Sequence, residues 1–413
     1  MQTNNSQGPL TGYRVLEIGS TIAGPFCGRL LADFGAEVIK VEAPGGDPVR
    51  TMGKHFHGRS LYAASIFRNK ALISVDLQKP DGQDIIRNLA KLCDVIVENF
   101  RPGRLEEWGI SYHQLSNINP TLIMVRISGF GQTGPYSRRP AYGVTSEAVS
   151  GLRHLTGDPD RPPSRVAVSM TDYITGLYAA FGTVLALLAR EKTGHGQCID
   201  AALYECAFSF MEPWIAAYEK LGHVQNRTGS RLPSSAPNNL YVSDDQQFIH
   251  VTAMNDTLFK RLLTVMGRSE LVTDPRFSSA AARTENYQAI DDLIAQWTSC
   301  HTIAELETIL GKVDVPAARV YTIADIFGDP HYRERGSIVR APDDDLNEIS
   351  MAVPVPRMSE TPGVVRHAGR RIGQDTRQVL TELLNFSANH IDALIQSGTI
   401  ACDLSDNAVL TKP

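Results

Sequence analysis

Through the first third of the chain, short β-rich apolar runs alternate with amphipathic ones. Residues 14–18, 37–42, 72–75, 95–98 and 122–127 read as strands, and residues 27–34 and 82–92 as helices between them. Repeated βα units predict a parallel, doubly wound α/β sheet, because right-handed crossovers return each strand parallel to the last. Further along, an apolar run over 176–189 predicts a buried core helix, with a strand at 197–202 and a long helix over 204–221 after it. Residues 1–221 therefore form a large α/β domain. Between 222 and 239 the periodicity gives way to Gly, Ser, Pro and Asn, the composition of a linker. A strand at 248–252 and helices over 256–266, 287–298 and 303–310 mark a smaller α/β domain spanning 240–325. Residues 326–413 make a further linker, proline-rich over 342–362, and a C-terminal return to the large domain that includes a helix at 387–397.

Composition narrows the function classes. The chain has 413 residues, 42% of them hydrophobic and 21% charged, which fits a soluble protein too long for one core and excludes disorder. A net charge of -5 excludes a globally basic nucleic-acid binder. The apolar run over 176–189 is shorter than the roughly 20 residues of a membrane span, so no membrane partner is expected. Residues 1–9 lack the charged and apolar regions of a signal peptide, which predicts a cytoplasmic protein. Cys27, Cys93, Cys198, Cys206, Cys300 and Cys402 form no C-x-x-C pair and have no histidines at zinc spacing, so they read as reduced thiols and no metal site is expected.

The segment Gly129-Phe130-Gly131-Gln132-Thr133-Gly134 matches the dinucleotide fingerprint G-x-G-x-x-G, which requires a helix to open at its third glycine. Pro135 and Pro140 forbid that helix, leaving a glycine-rich loop that lets backbone approach a ligand. The nucleophile elbow, the P-loop, H-E-x-x-H and the EF-hand loop are all missing from the sequence. Three other segments carry candidate chemistry. Asp172 stands where a polar stretch turns into the apolar helix; a carboxylate there is kept ionised by the helix dipole and suits a nucleophile, while on local grounds alone an ordinary helix cap is the better explanation. Ile22-Ala23-Gly24-Pro25 makes a strand-to-helix turn that either admits an anion or is simply tight. Glu98 to Arg104 follows a strand at its carboxyl end and combines Asn99 and Phe100 with Arg101 and Arg104, a set suited to a phosphorylated nucleotide or to a solvated loop.

In this order the segments resemble the class III CoA-transferases, a family that also contains α-methylacyl-CoA racemase. The resemblance rests on 22–25, Asp33-Phe34-Gly35-Ala36-Glu37-Val38-Ile39-Lys40-Val41-Glu42, Arg68-Asn69-Lys70, Val97-Glu98-Asn99-Phe100, 129–135, Thr171-Asp172 with Gly176, Gly194-His195-Gly196-Gln197, and Gly373-Gln374-Asp375-Thr376. It implies that Asp172 is the catalytic aspartate and that Ala23, Asn99, Phe100 and Tyr142 line the CoA or catalytic pocket, with Ile22, Val75 and Gln78 at similar strand ends. Arg101 and Arg104 are added as candidates for the CoA phosphates, and backbone N–H groups near Gly131 and Gly134 as oxyanion donors, a plain turn being an equal reading of these glycines. The implied activity moves CoA from an acyl-CoA to a carboxylic acid through aspartyl anhydride and thioester intermediates. CoA thioesters are then substrates, no cofactor stays bound, and the partner is a second copy in an interlocked homodimer. The alternative is an acyl-CoA racemase or epimerase acting at the α-carbon. Racemase members carry a histidine base where this chain has Tyr142, so transfer is favoured. No glycine run of the formyl-CoA transferase type occurs between residues 244 and 255, which argues against formyl or oxalyl specificity.

Overall fold

Strands whose consecutive residues are all apolar are buried on both faces. The computed structural model, which describes residues 8–406, shows how. In chain order the main elements are β1 (Arg14–Glu17), α1 (Ala23–Asp33), β2 (Glu37–Glu42), β3 (Lys70–Val75), α2 (Pro80–Ala90), β4 (Val95–Glu98), β5 (Ile123–Ser128), α3 (Gly143–Val149), α4 (Met170–Thr193) and β6 (Cys198–Ala202). The six strands pair in parallel in the order β3-β2-β1-β4-β5-β6, and Ile400–Ala401 adds a seventh, antiparallel strand beside β3. The protein thus has the expected doubly wound α/β sheet, with the strand order reversing between β1 and β4. In open α/β sheets ligands bind at such a reversal, outside the carboxyl ends of the strands.

Alternate residues of each strand feed two cores. Leu16, Ile39, Ile73 and Ile96 pack beneath α2 and the helices Thr376–Leu384 and Ala388–Gln396. Val15, Val38, Val95 and Val125 pack against α1 and α4. Small residues on α4 allow α1 to come close: a Cβ at Gly176 would lie 2.8 Å from the Ala23 carbonyl oxygen. α4 begins six residues before its apolar run and is 24 residues long, enough by length and composition to cross a membrane. Its buried positions, among them Thr171, Thr175, Ala179 and Thr183, face α1 and the sheet, while Leu177, Phe181, Val184, Leu185 and Leu188 form an exposed apolar stripe.

Two helices differ from expectation. α1 starts at Ala23 rather than 27, since Pro25 in a first turn forfeits only an N–H that has no intrahelical partner. The helix expected over 204–221 is instead Leu203–Phe208, a 3₁₀ turn Ser209–Met211 and a second helix Glu212–Leu221. Pro213 explains the break, because its ring clashes with the preceding turn and it has no N–H to donate.

The chain divides into two compact units. Of the described residues, 8–152, Val166–Ala216 and 334–406 form one; Arg153–Arg165 and Ala217–Arg333 form the other. The second unit has an antiparallel sheet of Asn238–Val242, Phe248–Thr252 and Ala317–Arg319. Its core gathers Ile249, Val251, Phe259, Leu262, Ile290 and Leu306 from that sheet and the helices around it.

Candidate active site

At the carboxyl ends of β1 to β4 a cavity of about 310 Å³ opens where the strand order reverses. Ile18 and Ser20 reach it from β1, Ala43 from β2, Val75 and Gln78 from β3, and Phe100 from β4. Phe100 meets Trp108 edge to face, with ring centroids 5.1 Å apart, so an aromatic pair walls the cavity. Arg101 is exposed immediately after Phe100. Arg104 is also exposed, lies 5.5 Å from the Trp108 ring and pairs with Glu107 at 2.8 Å. Val75, Gln78 and Phe100 therefore share one cavity, with the two arginines beside its aromatic wall.

The loop from β1 to α1 is gripped from two sides. The Asn99 side chain accepts a hydrogen bond from Ser20 N–H at 2.7 Å and donates one to Ser20 O at 2.8 Å. The next residue, Thr21, has φ of +68°, a left-handed conformation that a β-branched residue adopts at a cost of roughly 1–3 kcal/mol. Its N–H donates to both carboxylate oxygens of Asp47, at 3.0 and 3.2 Å. Asp47 also accepts from Val49 N–H at 2.9 Å and from the Lys40 ammonium at 2.9 Å, and Lys40 in turn donates to Gly19 O. Both side chains are buried beneath the loop.

A second buried pair supports the first turn of α1. Lys70 Nζ donates to Glu17 Oε2 at 2.6 Å and to Pro25 O at 2.7 Å. Burial pushes Glu17 up and Lys70 down to about 8, each toward its neutral form. The ammonium groups of Lys40 and Lys70 and the Arg50 guanidinium all lie within 5.3–5.5 Å of the Phe67 ring, which offers its negative face to them. Ile22 and Ala23, which follow the loop, are 3% exposed.

Asp172 lies in the first turn of α4, half-buried. Its carboxylate rests over Gly143, where any Cβ would overlap Oδ2. Gly143 opens α3 directly after Tyr142, which is 76% exposed. One turn on, Gly176 abuts Ala23 O; Tyr173 packs edge to face on Phe26 at 4.8 Å and shares a 2.8 Å hydrogen bond with the Tyr62 hydroxyl. The structure thus gathers Asp172, the Tyr142–Gly143 step and the start of α1. In the glycine-rich loop no helix opens before Gly143, Gly131 and Gly134 have φ of +81° and +84°, and Gln132 N–H donates to the Asp200 carboxylate at 2.8 Å. That bond ties the loop to β6. Among the described residues no three His, Cys, Asp or Glu side chains converge as metal ligands.

Sequence reasoning missed Asp47, Trp108 and Gly143, and saw Lys40 only as part of a strand. Asp47 had a readable signal: it precedes Pro48 and caps the 3₁₀ turn Pro48–Thr51 through Val49 N–H. Gly143 had none.

Matching the profile of CoA-transferase family III over residues 10–376, the chain belongs to that family and is an enzyme of the class III CoA-transferase type. It is 45% identical to a succinyl-CoA–D-citramalate CoA-transferase of Chloroflexus aurantiacus, over 96% of this chain and 99% of that one. It is 40% identical to the β subunit of a succinyl-CoA–L-malate CoA-transferase of the same organism, over 94% and 96% of the two chains. Its fold is similar to the crystal structure of a CaiB/BaiF family protein from Brucella suis, with a TM-score of 0.82 and 34% identity over 91% of this chain and all of that one.

Proposed function

We propose that this enzyme moves CoA from succinyl-CoA to a small dicarboxylic acid, with Asp172 as the acyl-accepting nucleophile. The observation that carries the reading is the Asp172 carboxylate seated over Gly143 in the first turn of α4, next to the start of α1. Succinyl-CoA and the dicarboxylate class are taken from the activities named for the two Chloroflexus relatives. In the first step an Asp172 oxygen attacks the thioester carbonyl, the C–S bond breaks, and CoA leaves as its thiolate. A thiol with a pKa of about 8.5 leaves without a strong general acid. The thiolate attacks the Asp172 carbonyl of the anhydride, releasing succinate and forming an aspartyl thioester. An acceptor carboxylate then displaces the thiolate to give a second anhydride, and the thiolate takes the acceptor acyl group, regenerating Asp172.

In this reading the nucleotide part of CoA occupies the cavity bounded by Val75, Gln78, Phe100 and Trp108, with Arg101 and Arg104 toward its phosphates. Asn99, Ile22, Ala23 and Tyr142 border the path to Asp172, and the backbone at Gly131 and Gly134 supplies N–H donors to the oxyanions. The exposed stripe of Leu177, Phe181, Leu185 and Leu188, together with exposed Phe208, Phe210 and Ile215, supports a homodimer, interlocked as in the family.

Asp172→Ala and Asp172→Asn should each lower CoA exchange by at least about a thousandfold, while calorimetry shows CoA still bound. Undiminished exchange in both variants would overturn the assignment. A panel of acetyl- and succinyl-CoA donors against mono- and dicarboxylates, scored by the mass of the product thioester, tests the substrate class. Preference for monocarboxylates would refute the dicarboxylate assignment.

A further inference from the structure

We infer that Asp47, backed by Lys40, is a positioning residue for the transfer reaction. It latches the loop from β1 to α1 in a conformation that the loop's own sequence resists. The inference rests on the reading of Asp172 and the cavity given above. Left-handed loop positions normally carry Gly, Asn or Asp, and here the position carries Thr21, at φ +68°. Such a residue stays in place only where its surroundings over-determine it. Three contacts do so. Asn99 fixes both backbone polar atoms of Ser20, Asp47 accepts the Thr21 N–H, and Lys40 joins the Gly19 carbonyl to Asp47.

Position makes the strain functional rather than incidental. On one side of Thr21, Gly19 and Ser20 line the cavity, which Asp47 and Lys40 also border. On the other side, Ile22 and Ala23 begin α1, whose Ala23 carbonyl touches Gly176, one turn from Asp172. The Thr21 peptide is therefore the joint between the cavity wall and the catalytic end of α4. Removing Asp47 deletes the acceptor of the Thr21 N–H and leaves Lys40 with one anchor fewer. Thr21 then relaxes toward negative φ and swings Ser20 against Ile22. Lys40 and Asp47 are both buried, so no other side chain replaces the lost acceptor without rearrangement, and a cavity water could do so only without holding the loop to the Lys40 ammonium.

The test uses the full-length enzyme with Asp47→Ala, Asp47→Asn, Thr21→Gly and the double variant Asp47→Ala/Thr21→Gly. Glycine adopts the left-handed conformation without steric penalty, so it supplies by local preference what Asp47 imposes through a contact. Asp47→Ala should lower kcat/KM for exchange by roughly a hundredfold, the effect of a misplacement near 1 Å. Asp47→Asn, which keeps one acceptor oxygen, should fall between it and the parent enzyme. Thr21→Gly alone should stay near the parent rate, and the double variant should regain most of the loss. If Asp47 merely neutralised Lys40, Thr21→Gly would repair nothing, and that result overturns the proposal. Unchanged kinetics in Asp47→Ala would overturn it too. Should Asp47→Ala fail to fold, the same rescue is read from Asp47→Asn. CoA dissociation constants from calorimetry follow the same pattern of loss and repair whether or not Asp172 is the nucleophile. Failure of the latch is thus distinguishable from failure of the nucleophile assignment, which only the Asp172 variants address.

Discussion

At Gly143 glycine and alanine differ by one methyl group, and the Asp172 carboxylate occupies the space that methyl would need. A Gly143→Ala enzyme must turn the Asp172 side chain to another rotamer or push α3 away from α4. Either change displaces the proposed nucleophile while leaving the cavity beyond β1 to β4 intact. Its kcat is expected to fall by about a hundredfold with little change in KM for the acyl-CoA, as steady-state kinetics would reveal. An equal rise in KM would mean that the two regions are mechanically joined. At this scale the chain could be read only in part. Asp172 was singled out by the family resemblance, because a carboxylate beside Thr171 at the start of an apolar helix reads locally as a cap. Its seat was not, since a glycine after a tyrosine carries no mark of what lies above it.

At the scale of elements, the strands were legible because burial on both faces leaves unbroken apolar runs, and both cores use them as expected. The helix Thr376–Leu384 was blurred by its short length, and the hairpin of Ile338–Asp343 with Asn347–Ala352 by the prolines in and around it. Charges inside strands misled most. Glu17 and Lys40 fall inside the strands read at 14–18 and 37–42 and Lys70 outside the one read at 72–75, yet all three side chains are fully buried, and Gly28 has no side chain because the Glu17 carboxylate takes that room. Lys70→Met should destabilise the protein by roughly 3–5 kcal/mol, because it strips Glu17 of its close partner, whereas Glu17→Gln/Lys70→Met should recover much of that loss. Urea unfolding midpoints test both. Native Lys70 gives up its proton near 8 and an unfolded lysine near its ordinary value of 10.5, so the unfolded chain binds more protons between those values. This side chain therefore makes stability rise with pH from about 8 to about 10.5, and its contribution is lost as pH falls through 8. In Lys70→Met that part of the rise should vanish.

For the molecule as a whole, repeated βα units announced a parallel sheet, but the reversal of strand order between β1 and β4, which sets the position of the cavity, depends on long-range pairing that no local pattern encodes. The apolar stripe on α4 was likewise read as core, since periodicity distinguishes a covered face from a polar one and cannot say what covers it. Phe181 is 59% exposed in the middle of that stripe. If a second copy covers it, Phe181→Asp should convert the homodimer to monomer in light scattering and lower exchange with it; a dimer of unchanged stability would place the interface elsewhere.

The C-terminal segment brings a last consequence, one of timing. Asp406 reaches back to bond Arg50, Arg59 and the backbone of Ser60, all buried, and Ile400–Ala401 supplies the outermost strand beside β3. During synthesis the ribosome makes those arginines about 350 residues before their shared carboxylate. Over most of that interval Arg50 has Glu42 as its carboxylate partner, while Arg59 lacks both Asp343 and Asp406. Closure of this corner of the large unit is therefore expected to follow the synthesis of Asp406 rather than that of the β strands alone, and a chain stopped before Ile400 should leave Arg59 accessible to a guanidinium-modifying reagent.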